Sequence, residues 1–305
     1  MAEIVIVGNS AAGFSCCQAL LAERGNNGIT VISEEGFPAY NRNLLIGYFS
    51  GGIKEEELFL CRQDYYQAND VRLLKEGRVV LLEARKQRLI LKDNSRINYD
   101  YLVIASGSRP RLPDIPGITK EGVEVFYSLG DVRSIKQRLI ISDTVALFGG
   151  SMLCAELSVS ESLKGKEVKI IARGRPGAFS ASETREWLEG VEVAEVIGEG
   201  SELRAIKLSN GKAIGVSLLI YAGPQLAASE FLKGSDVSTD NGSILVDGQM
   251  RTNLRNVFAC GSVSKKDNYA PQSKTWDDSV KEGILAAESL LRILKGESNI
   301  CQQTS

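Results

Sequence analysis

Apolar and polar positions near the start of the chain follow the order strand, turn, helix, strand. An apolar run at 4–7 leads into a glycine turn, an amphipathic stretch follows at about 12–24, and a second β-rich run occupies 29–33. A change from the strand period to the helix period and back predicts a βαβ unit, in which the two strands are parallel and the helix packs on their sheet.

The same pattern recurs in the middle of the chain. A strand is predicted at 144–148, a glycine turn at 149–150, a helix at about 152–163 and another strand at 167–172. The change of hydrophobic period is again the one that a βαβ unit requires. The chain therefore contains an internal repeat of two βαβ units.

Shorter β-type runs lie between and after the two units. They are predicted at 78–83, 88–92, 101–105, 191–196, 203–208, 218–221 and 256–260. The first two alternate around polar turns, which is typical of a β-meander. A proline-rich stretch at 108–117 predicts a crossing between domains. A long helical pattern at 273–295, interrupted only by an exposed-looking Gly283, follows near the C-terminal end.

Length and charge limit the classes of protein to be considered. The 305 residues suggest two domains of ordinary size. A formal net charge of −2 gives no reason to expect nucleic acid or an anionic membrane as a partner. No apolar run approaches the roughly 20 residues that cross a bilayer, and no leader-like pattern precedes the first strand. The sequence therefore predicts a cytoplasmic protein with no membrane partner.

Histidine and cysteine usage narrows the chemistry. The chain has no histidine, which removes the commonest general base and metal ligand. Catalytic triads of the Ser-His-Asp type and zinc hydrolase sites are therefore poor candidates. The six cysteines show no C-x-x-C spacing, so we expect reduced, mostly buried thiols and no redox disulfide of that type. No metal site is predicted.

The first glycine turn (residues 8–13) has the features of a dinucleotide-binding site. Gly8 permits a tight turn, a small residue at Ser10 lets the backbone approach a pyrophosphate, and Gly13 permits close helix–strand packing. The start of the helix presents free N–H groups to phosphates. Glu34 ends the second strand, where a carboxylate hydrogen-bonds ribose hydroxyls. The predicted contacts in the turn are Gly8, Ser10, Ala11, Ala12 and Gly13. The alternative is a glycine turn that serves packing only.

Four segments carry a family resemblance. They are the first glycine turn with Glu34, Pro-Ala-Tyr-Asn-Arg-Asn-Leu-Leu at 38–45, a segment at 99–110 that contains Ala-Ser-Gly, and Asn-Val-Phe-Ala-Cys-Gly-Ser at 256–262. Together they resemble the FAD-dependent pyridine-nucleotide oxidoreductases with two dinucleotide-binding domains, in particular the rubredoxin reductase and nitrite reductase N-terminal branch. The stretch at 276–296 also resembles the final helix of that family's FAD domain.

The resemblance implies an α/β fold with two Rossmann-like dinucleotide-binding domains and three-stranded β-meanders, the second domain being inserted into the first. An FAD-binding domain would comprise 1–112 and 245–305, and an NAD(P)-binding-like domain would comprise 113–244. The implied reaction is reduction of FAD by NAD(P)H, followed by electron transfer to an iron–sulfur or rubredoxin-like protein. The flavin supplies the chemistry, so no catalytic side chain is predicted.

Further FAD contacts follow from the resemblance alone. Arg42 would lie near the isoalloxazine or the pyrophosphate, and Val79 would contact adenine through its backbone. The remaining implied contacts are Ala105, Ser106, Gly107, Gly261, Ser262 and Trp276. Without the surrounding motif, Arg42 would be interpreted as an exposed arginine.

The chain departs from the family pattern near the flavin. The family has Gly-Asp in the fourth segment, with the aspartate on the ribityl chain, whereas this chain has Gly261-Ser262. The loss of a charge-assisted hydrogen bond costs about a kcal/mol. We therefore expect FAD binding to survive with an altered orientation or potential.

The second glycine turn (residues 149–154) departs further. Only the first of three family glycines keeps its place, and Cys154 is bulkier than glycine where helix and strand should touch. The predicted NAD(P) contacts are Gly149, Gly150, Ser151, Glu156 and Arg173. No acid ends the next strand; Arg173 and Arg175 suit the 2′-phosphate of NADP, or they are solvated loop residues.

Several functions remain open from the sequence. One is an FAD-dependent NAD(P)H oxidoreductase with an iron–sulfur or rubredoxin-like acceptor. Another is an FAD-containing electron-transfer subunit of a larger redox enzyme, with weakened or lost NAD(P)H binding. A third is a nucleotide sensor without turnover. Nothing after the final helix resembles the family's C-terminal interface domain, so the oligomeric state stays open.

Overall fold

The computed structural model describes most of the chain as two compact units. The described residues are 1–23, 25–174, 185–266 and 274–296. The first unit comprises Met1–Asn41, Phe59–Ser108 and Ala227–Ser305. The second unit comprises Arg42–Leu58 and Arg109–Leu226.

Strands outnumber helices in the described chain, and both are numbered in chain order. The strands are β1 (Glu3–Val7), β2 (Gly28–Ile32), β3 (Arg72–Leu74), β4 (Val79–Glu83), β5 (Arg88–Leu91), β6 (Arg96–Asn98), β7 (Tyr101–Ile104), β8 (Ser108–Pro110), β9 (Val123–Val125), β10 (Thr144–Gly149), β11 (Glu167–Ala172), β12 (Arg185–Trp187), β13 (Val193–Glu199), β14 (Glu202–Leu208), β15 (Ala213–Gly215), β16 (Leu218–Ala222), β17 (Gln225–Ala227), β18 (Thr239–Asp240), β19 (Ser243–Val246), β20 (Val257–Ala259) and β21 (Ser264–Lys266). The helices are α1 (Ala11–Glu23), α2 (Leu45–Phe49), α3 (Tyr65–Ala68), α4 (Leu129–Leu139), α5 (Ser151–Ser158) and α6 (Trp276–Leu294).

The main sheet of each unit is parallel and five-stranded. The strand order is β20-β7-β1-β2-β3 in the first unit and β9-β16-β10-β11-β12 in the second. Each unit adds an antiparallel three-stranded meander, β4-β5-β6 or β13-β14-β15. Four neighbouring strands are equivalent in chain order, β7-β1-β2-β3 and β16-β10-β11-β12, whereas the edge strand comes last along the chain in the first sheet (β20) and first in the second (β9). The predicted repeat therefore extends from the βαβ unit to four of the five strands.

The described units divide the chain differently from the sequence-based domains. The last segment of the first unit begins at Ala227 rather than 245, because Phe231, Leu232 and Ile244 are buried in that unit's core. Which cofactor each unit binds stays a prediction.

Residues 42–58 belong to the second unit, although the sequence placed them in the FAD domain. The ring of Phe49 packs against Phe126, with the ring centroids 5.6 Å apart. Glu55 accepts a hydrogen bond of 3.0 Å from Nε of Arg133. An aromatic contact and an ion pair therefore attach this segment to the rest of the second unit.

The centre of the first unit is apolar on both faces. Ile4, Val5 and Ile6 of β1 are at most 1% exposed, as expected for a strand in the middle of a parallel sheet whose two faces are both covered. Gly283 of α6 is buried too, so the prediction of an exposed glycine was wrong. A Cβ at Gly283 would lie 2.2 Å from the carbonyl oxygen of Ala12. Close packing of α6 on α1 therefore requires glycine.

Two helices of the second unit differ from the sequence-based prediction. The predicted helix at 152–163 is shorter, since α5 ends at Ser158 and only a 3₁₀ turn follows at Glu161–Leu163. Helix α4 was not predicted. Its start is fixed by a capping box, in which the Ser128 side chain accepts from the Asp131 N–H and the Asp131 side chain accepts from the Ser128 N–H. Within the described ranges, no helix has the length and apolarity to span a bilayer.

Candidate functional site

The first glycine turn is held between the ends of two neighbouring strands. The Gly8 N–H donates to the carbonyl of Ile32, at the end of β2, over 2.8 Å. Gly8 has a φ of 111°, and a Cβ there would lie 2.1 Å from the carbonyl oxygen of Ala105, which follows β7. A side chain would thus be strained by the backbone and would clash with it. The structure therefore gives a physical reason for glycine at this position.

Gly13 allows α1 to start directly above the same turn. A Cβ on Gly13 would lie 2.0 Å from the carbonyl oxygen of Gly8. The Phe14 N–H donates to the Ser10 carbonyl over 2.8 Å, so the first helical hydrogen bond forms within the turn. Ala11 and Ala12 complete this first helical turn with small side chains. The N–H groups at such a helix start have no carbonyl partner within the helix and are suited to an anion.

Asn9 is a candidate contact that the sequence analysis missed. Its Oδ1 accepts a hydrogen bond of 2.5 Å from the Tyr66 hydroxyl, whose pKa is raised by burial. Its Nδ2 is buried and has no hydrogen-bond partner among the residues described. An unsatisfied buried donor costs about 1–3 kcal/mol. A phosphate oxygen at the turn would accept a hydrogen bond from Nδ2. The sequence feature that could have identified this contact is an asparagine directly after the first glycine of the turn.

The structure brings Glu34 and Val79 to one corner of the first unit. Glu34 lies just beyond β2, and its carboxylate is 3.5 Å from Nε of Arg78. The neighbouring Ser33 accepts a backbone hydrogen bond of 2.8 Å from Gly77. Val79 is the buried first residue of β4. The predicted ribose and adenine contacts are thus adjacent in space.

The Ala105–Gly107 segment lies beside the first glycine turn, with Ala105 next to Gly8. The Ser106 hydroxyl donates to the carbonyl of Ala228 over 2.7 Å, and the Ala228 N–H donates to the Gly107 carbonyl over 3.0 Å. These two bonds fix the path of the chain as it leaves β7.

Gly261, which follows β20, lies next to the start of α1. Its φ is 77°, and a Cβ there would lie 2.9 Å from the Cβ of Ala12. Ser262 follows and is exposed. Trp276 is the half-buried first residue of α6, and its N-cap Thr275 forms a capping box with Asp278. Gly261 is thus joined to the first turn of α1.

Arg42 belongs to the second unit, unlike the other predicted FAD contacts. Its guanidinium carbon is 4.4 Å from the ring centroid of Tyr127, and Nη1 donates to the Tyr127 carbonyl over 3.2 Å. This cation–π contact shows that Arg42 is more than an exposed arginine. Its contact with a flavin stays a prediction.

The second glycine turn repeats the backbone geometry of the first. Gly149 has a φ of 144°, and a Cβ there would lie 2.4 Å from the carbonyl carbon of Ala222, at the end of β16. The Gly150 N–H donates to the Ala222 carbonyl over 2.8 Å. Cys154 is fully buried, so the larger side chain fits at the third glycine position. Burial raises the pKa of its thiol to about 12.

The end of β11 is connected to the second glycine turn. The Ser151 hydroxyl donates to the carbonyl of Arg173. The Arg173 guanidinium donates to Glu192 from Nε over 3.0 Å and from Nη2 over 2.8 Å. An acid is therefore present at this strand end after all, supplied by a segment distant in sequence. Glu156 is exposed on α5, and Arg175 lies outside the described residues.

The cysteines of the described chain are free thiols. Cys16, Cys17, Cys154 and Cys260 are buried, and Cys61 is half-buried. Burial raises the pKa of Cys16 and brings that of Cys260 to about 12. Within the described residues, no group of three or more acidic or cysteine side chains could hold a metal ion. Cys301 lies outside them.

Residues 2–283 match the family described as pyridine nucleotide-disulphide oxidoreductase. The benzene 1,2-dioxygenase system ferredoxin–NAD(+) reductase subunit of Pseudomonas putida is 28% identical over 86% of this chain and 67% of its own length. The rubredoxin-NAD(+) reductase of Pseudomonas putida is 23% identical over 87% of this chain and 72% of its own length.

Solved structures show the same fold. One chain of a covalent putidaredoxin reductase–putidaredoxin complex superposes with a TM-score of 0.84 at 19% identity, over 95% of this chain and 75% of that one. The predicted fold class is thereby confirmed. This chain spans between about half and about three quarters of the length of its first curated relatives. The resemblance seen in the sequence is confirmed by the family match: the chain belongs to the pyridine nucleotide-disulphide oxidoreductase family.

Proposed function

We propose that this chain is an FAD-dependent NAD(P)H oxidoreductase that passes electrons from a nicotinamide nucleotide through flavin to a small protein acceptor. The observation that carries the proposal is the first glycine turn. There, two glycines in close backbone contact place the start of α1 beside a buried amide donor, Asn9 Nδ2, which lacks a partner within the described chain.

The residues of the first unit fit FAD. The N–H groups at the start of α1 and Asn9 Nδ2 would bind the pyrophosphate, and Glu34 would bind the adenosine ribose. Val79, Ala105–Gly107 and Gly261–Ser262 would line the rest of the site. When bound, FAD supplies the change from two-electron to one-electron chemistry. The described part of the chain supplies binding and orientation.

The second unit would bind the nicotinamide nucleotide. Its glycine turn has the same backbone geometry as the first turn, with Gly149 packed against Ala222. Gly150 and Ser151 would approach the pyrophosphate, and Arg173 with Glu192 would lie at the adenosine ribose. We propose NADH as the better donor, because Glu192 already neutralises Arg173.

The proposed acceptor is an iron–sulfur or rubredoxin-like protein. The names of two relatives, a ferredoxin–NAD(+) reductase subunit and a rubredoxin-NAD(+) reductase, identify acceptors of this kind for those proteins. We propose the cytoplasm as the location, since reduced nicotinamide nucleotides are available there.

The test is an anaerobic titration of the FAD-loaded protein with NADH and with NADPH. The expected result is stoichiometric loss of the visible absorbance of oxidised flavin, at lower concentrations of NADH. Loaded protein that neither nucleotide reduces would defeat the proposed donor. A chain that does not bind FAD at all would defeat the whole proposal.

A second candidate is an electron-transfer subunit that holds FAD without reacting directly with a nicotinamide nucleotide. The second turn favours it, because Ser151 and Cys154 occupy two of the three family glycine positions. In that case NADH and NADPH would leave the flavin oxidised, whereas a reduced partner protein would reduce it.

A further inference from the structure

A half-buried ion pair lies at the N-terminal part of α6, the helix that packs on α1. Nζ of Lys274 is 2.7 Å from Oε2 of Glu282, and the side chains are only 18% and 10% exposed. Glu282 is on α6, whereas Lys274 precedes that helix. An ion pair removed from water is expensive to assemble unless further hydrogen bonds satisfy both charges. Both partners do make such bonds.

The ion pair holds the peptide groups of Gly261 from both sides. The Gly261 N–H donates to Glu282 Oε2 over 2.9 Å, and the Gly261 carbonyl accepts from Lys274 Nζ over 2.9 Å. Lys274 also donates to the carbonyl and the hydroxyl of Ser264, over 2.7 and 2.8 Å. The four residues from 261 to 264, which we call the 261–264 turn, are therefore fixed by one charged pair.

The 261–264 turn packs directly on the start of α1. Both Gly261 and Gly283 contact Ala12, because a Cβ on either glycine would come within 3 Å of Ala12 atoms. Glu282 directly precedes Gly283 in α6. Its carboxylate therefore contacts the 261–264 turn from the same helix that packs against Ala12. The position of the Gly261–Ser262 peptide relative to the first glycine turn thus depends on the Lys274–Glu282 pair.

We propose that Lys274 and Glu282 are positioning residues for the dinucleotide, which set the affinity for FAD and the environment of its flavin through the 261–264 turn. The inference rests on the proposed FAD site. Ser262 is neutral and exposed. The charged residues that hold its segment are Lys274 and Glu282, which bond to the neighbouring Gly261. Removal of one partner leaves the other charge buried without its counterion and frees the Gly261 peptide.

The first test measures FAD affinity and the visible spectrum of bound flavin in Lys274→Met and Lys274→Arg. Lys274→Met should weaken FAD binding about tenfold or more, the effect of losing a hydrogen bond to a charged group. Arginine keeps the charge and several donors, so Lys274→Arg should recover most of the affinity and the wild-type spectrum.

The matched control is Lys265→Met. Lys265 lies in the same unit and pairs with Asp240 at 2.5 Å, with side chains 23% and 41% exposed, and it is not among the donors to Gly261. A purely structural role for Lys274 predicts that Lys274→Met lowers thermal stability without changing the FAD affinity or the flavin spectrum. Our proposal predicts that only Lys274→Met alters FAD affinity and spectrum.

Glu282→Gln tests the inference independently if Lys274→Met does not fold. The amide oxygen can still accept from Gly261 N–H, but the charge is lost, so FAD affinity should fall about threefold to tenfold with a shifted flavin spectrum. Wild-type affinity and spectrum in either Lys274→Met or Glu282→Gln would overturn the inference while leaving FAD binding intact. Failure of the wild-type chain to bind FAD would instead defeat the proposed function.

Discussion

The two glycine turns share the contact of their first glycine but differ in the residue at the third glycine position. In both turns the first glycine packs against the end of a neighbouring strand, Gly8 on Ala105 and Gly149 on Ala222. At the third glycine position the first turn has Gly13, whose Cβ would clash with Gly8. The second turn has Cys154, which is accommodated in the core.

This difference separates two roles of glycine in the same motif. The first glycine is required by the strand-to-helix turn itself, since both copies have positive φ and a backbone neighbour. The third is required in the first turn, where a Cβ at position 13 would meet the Gly8 carbonyl, whereas the second turn accommodates a cysteine side chain there. A missing third glycine therefore does not by itself show that the second unit has lost its turn.

The largest expected effect comes from exchanging these two residues. Gly13→Cys should displace α1 and destabilise the protein by about 2–3 kcal/mol, the usual cost of overpacking. It should also weaken FAD binding by about 100-fold, since each 1.4 kcal/mol is a factor of ten. Cys154→Gly should cost about 1–2 kcal/mol through a cavity and helix propensity and leave FAD binding unchanged. Urea unfolding and FAD titration of both variants check this, and equal loss of FAD in the two would contradict it.

The next effect concerns the packing of α6 on α1 in the first unit. Gly283→Ala should separate α6 from α1, because the new methyl group meets the Ala12 carbonyl. We expect about 1–3 kcal/mol of destabilisation and about tenfold weaker FAD binding. Gly248→Ala is the control, since a Cβ there meets nothing within 4 Å. Similar melting temperatures for the two variants would show that the contact is unimportant.

These contacts also show what the sequence could and could not predict. Local patterns located both βαβ units, because the hydrophobic period and the glycine turn are encoded within about 30 residues. The burial of Gly283 and the proximity of Glu192 to Arg173 depend on residues far apart in the chain, so neither was predicted. The packing of 42–58 in the second unit was missed for the same reason. The start of α4 was predictable from the sequence, because Ser128 and Asp131 have the spacing of a capping box.

A smaller effect is expected at the residue where the chain departs from the family near the flavin. Ser262→Asp restores a carboxylate at an exposed position of the first unit. A charge-assisted hydrogen bond to the ribityl chain should tighten FAD binding about fivefold. Ser262→Asn is isosteric with aspartate but uncharged and should give less than half of the gain. Unchanged or weaker binding of FAD to Ser262→Asp would show that position 262 does not contact the ribityl chain.

The smallest effect should appear at the nucleotide preference of the second unit. Glu192→Gln releases Arg173 for a 2′-phosphate, which should raise the NADPH-to-NADH preference about threefold. The change is modest because exposed ion pairs contribute about 0–1 kcal/mol, and Arg173 is 90% exposed. Steady-state reduction of an artificial acceptor with both nucleotides measures it. Glu195→Gln, next to Lys207, is the control. A similar change in both variants would contradict a specific role for Glu192.

The central claim is that one unit binds FAD and the other receives the nicotinamide nucleotide. It is tested most directly by counting FAD per chain in the purified, FAD-saturated protein and then following anaerobic reduction by NADH. We expect one FAD per chain in the wild type, about 100-fold weaker binding in Gly13→Cys, retention in Cys154→Gly, and reduction of the wild-type flavin by stoichiometric NADH. Two FAD per chain, or a single FAD that survives Gly13→Cys and disappears in Cys154→Gly, would contradict it.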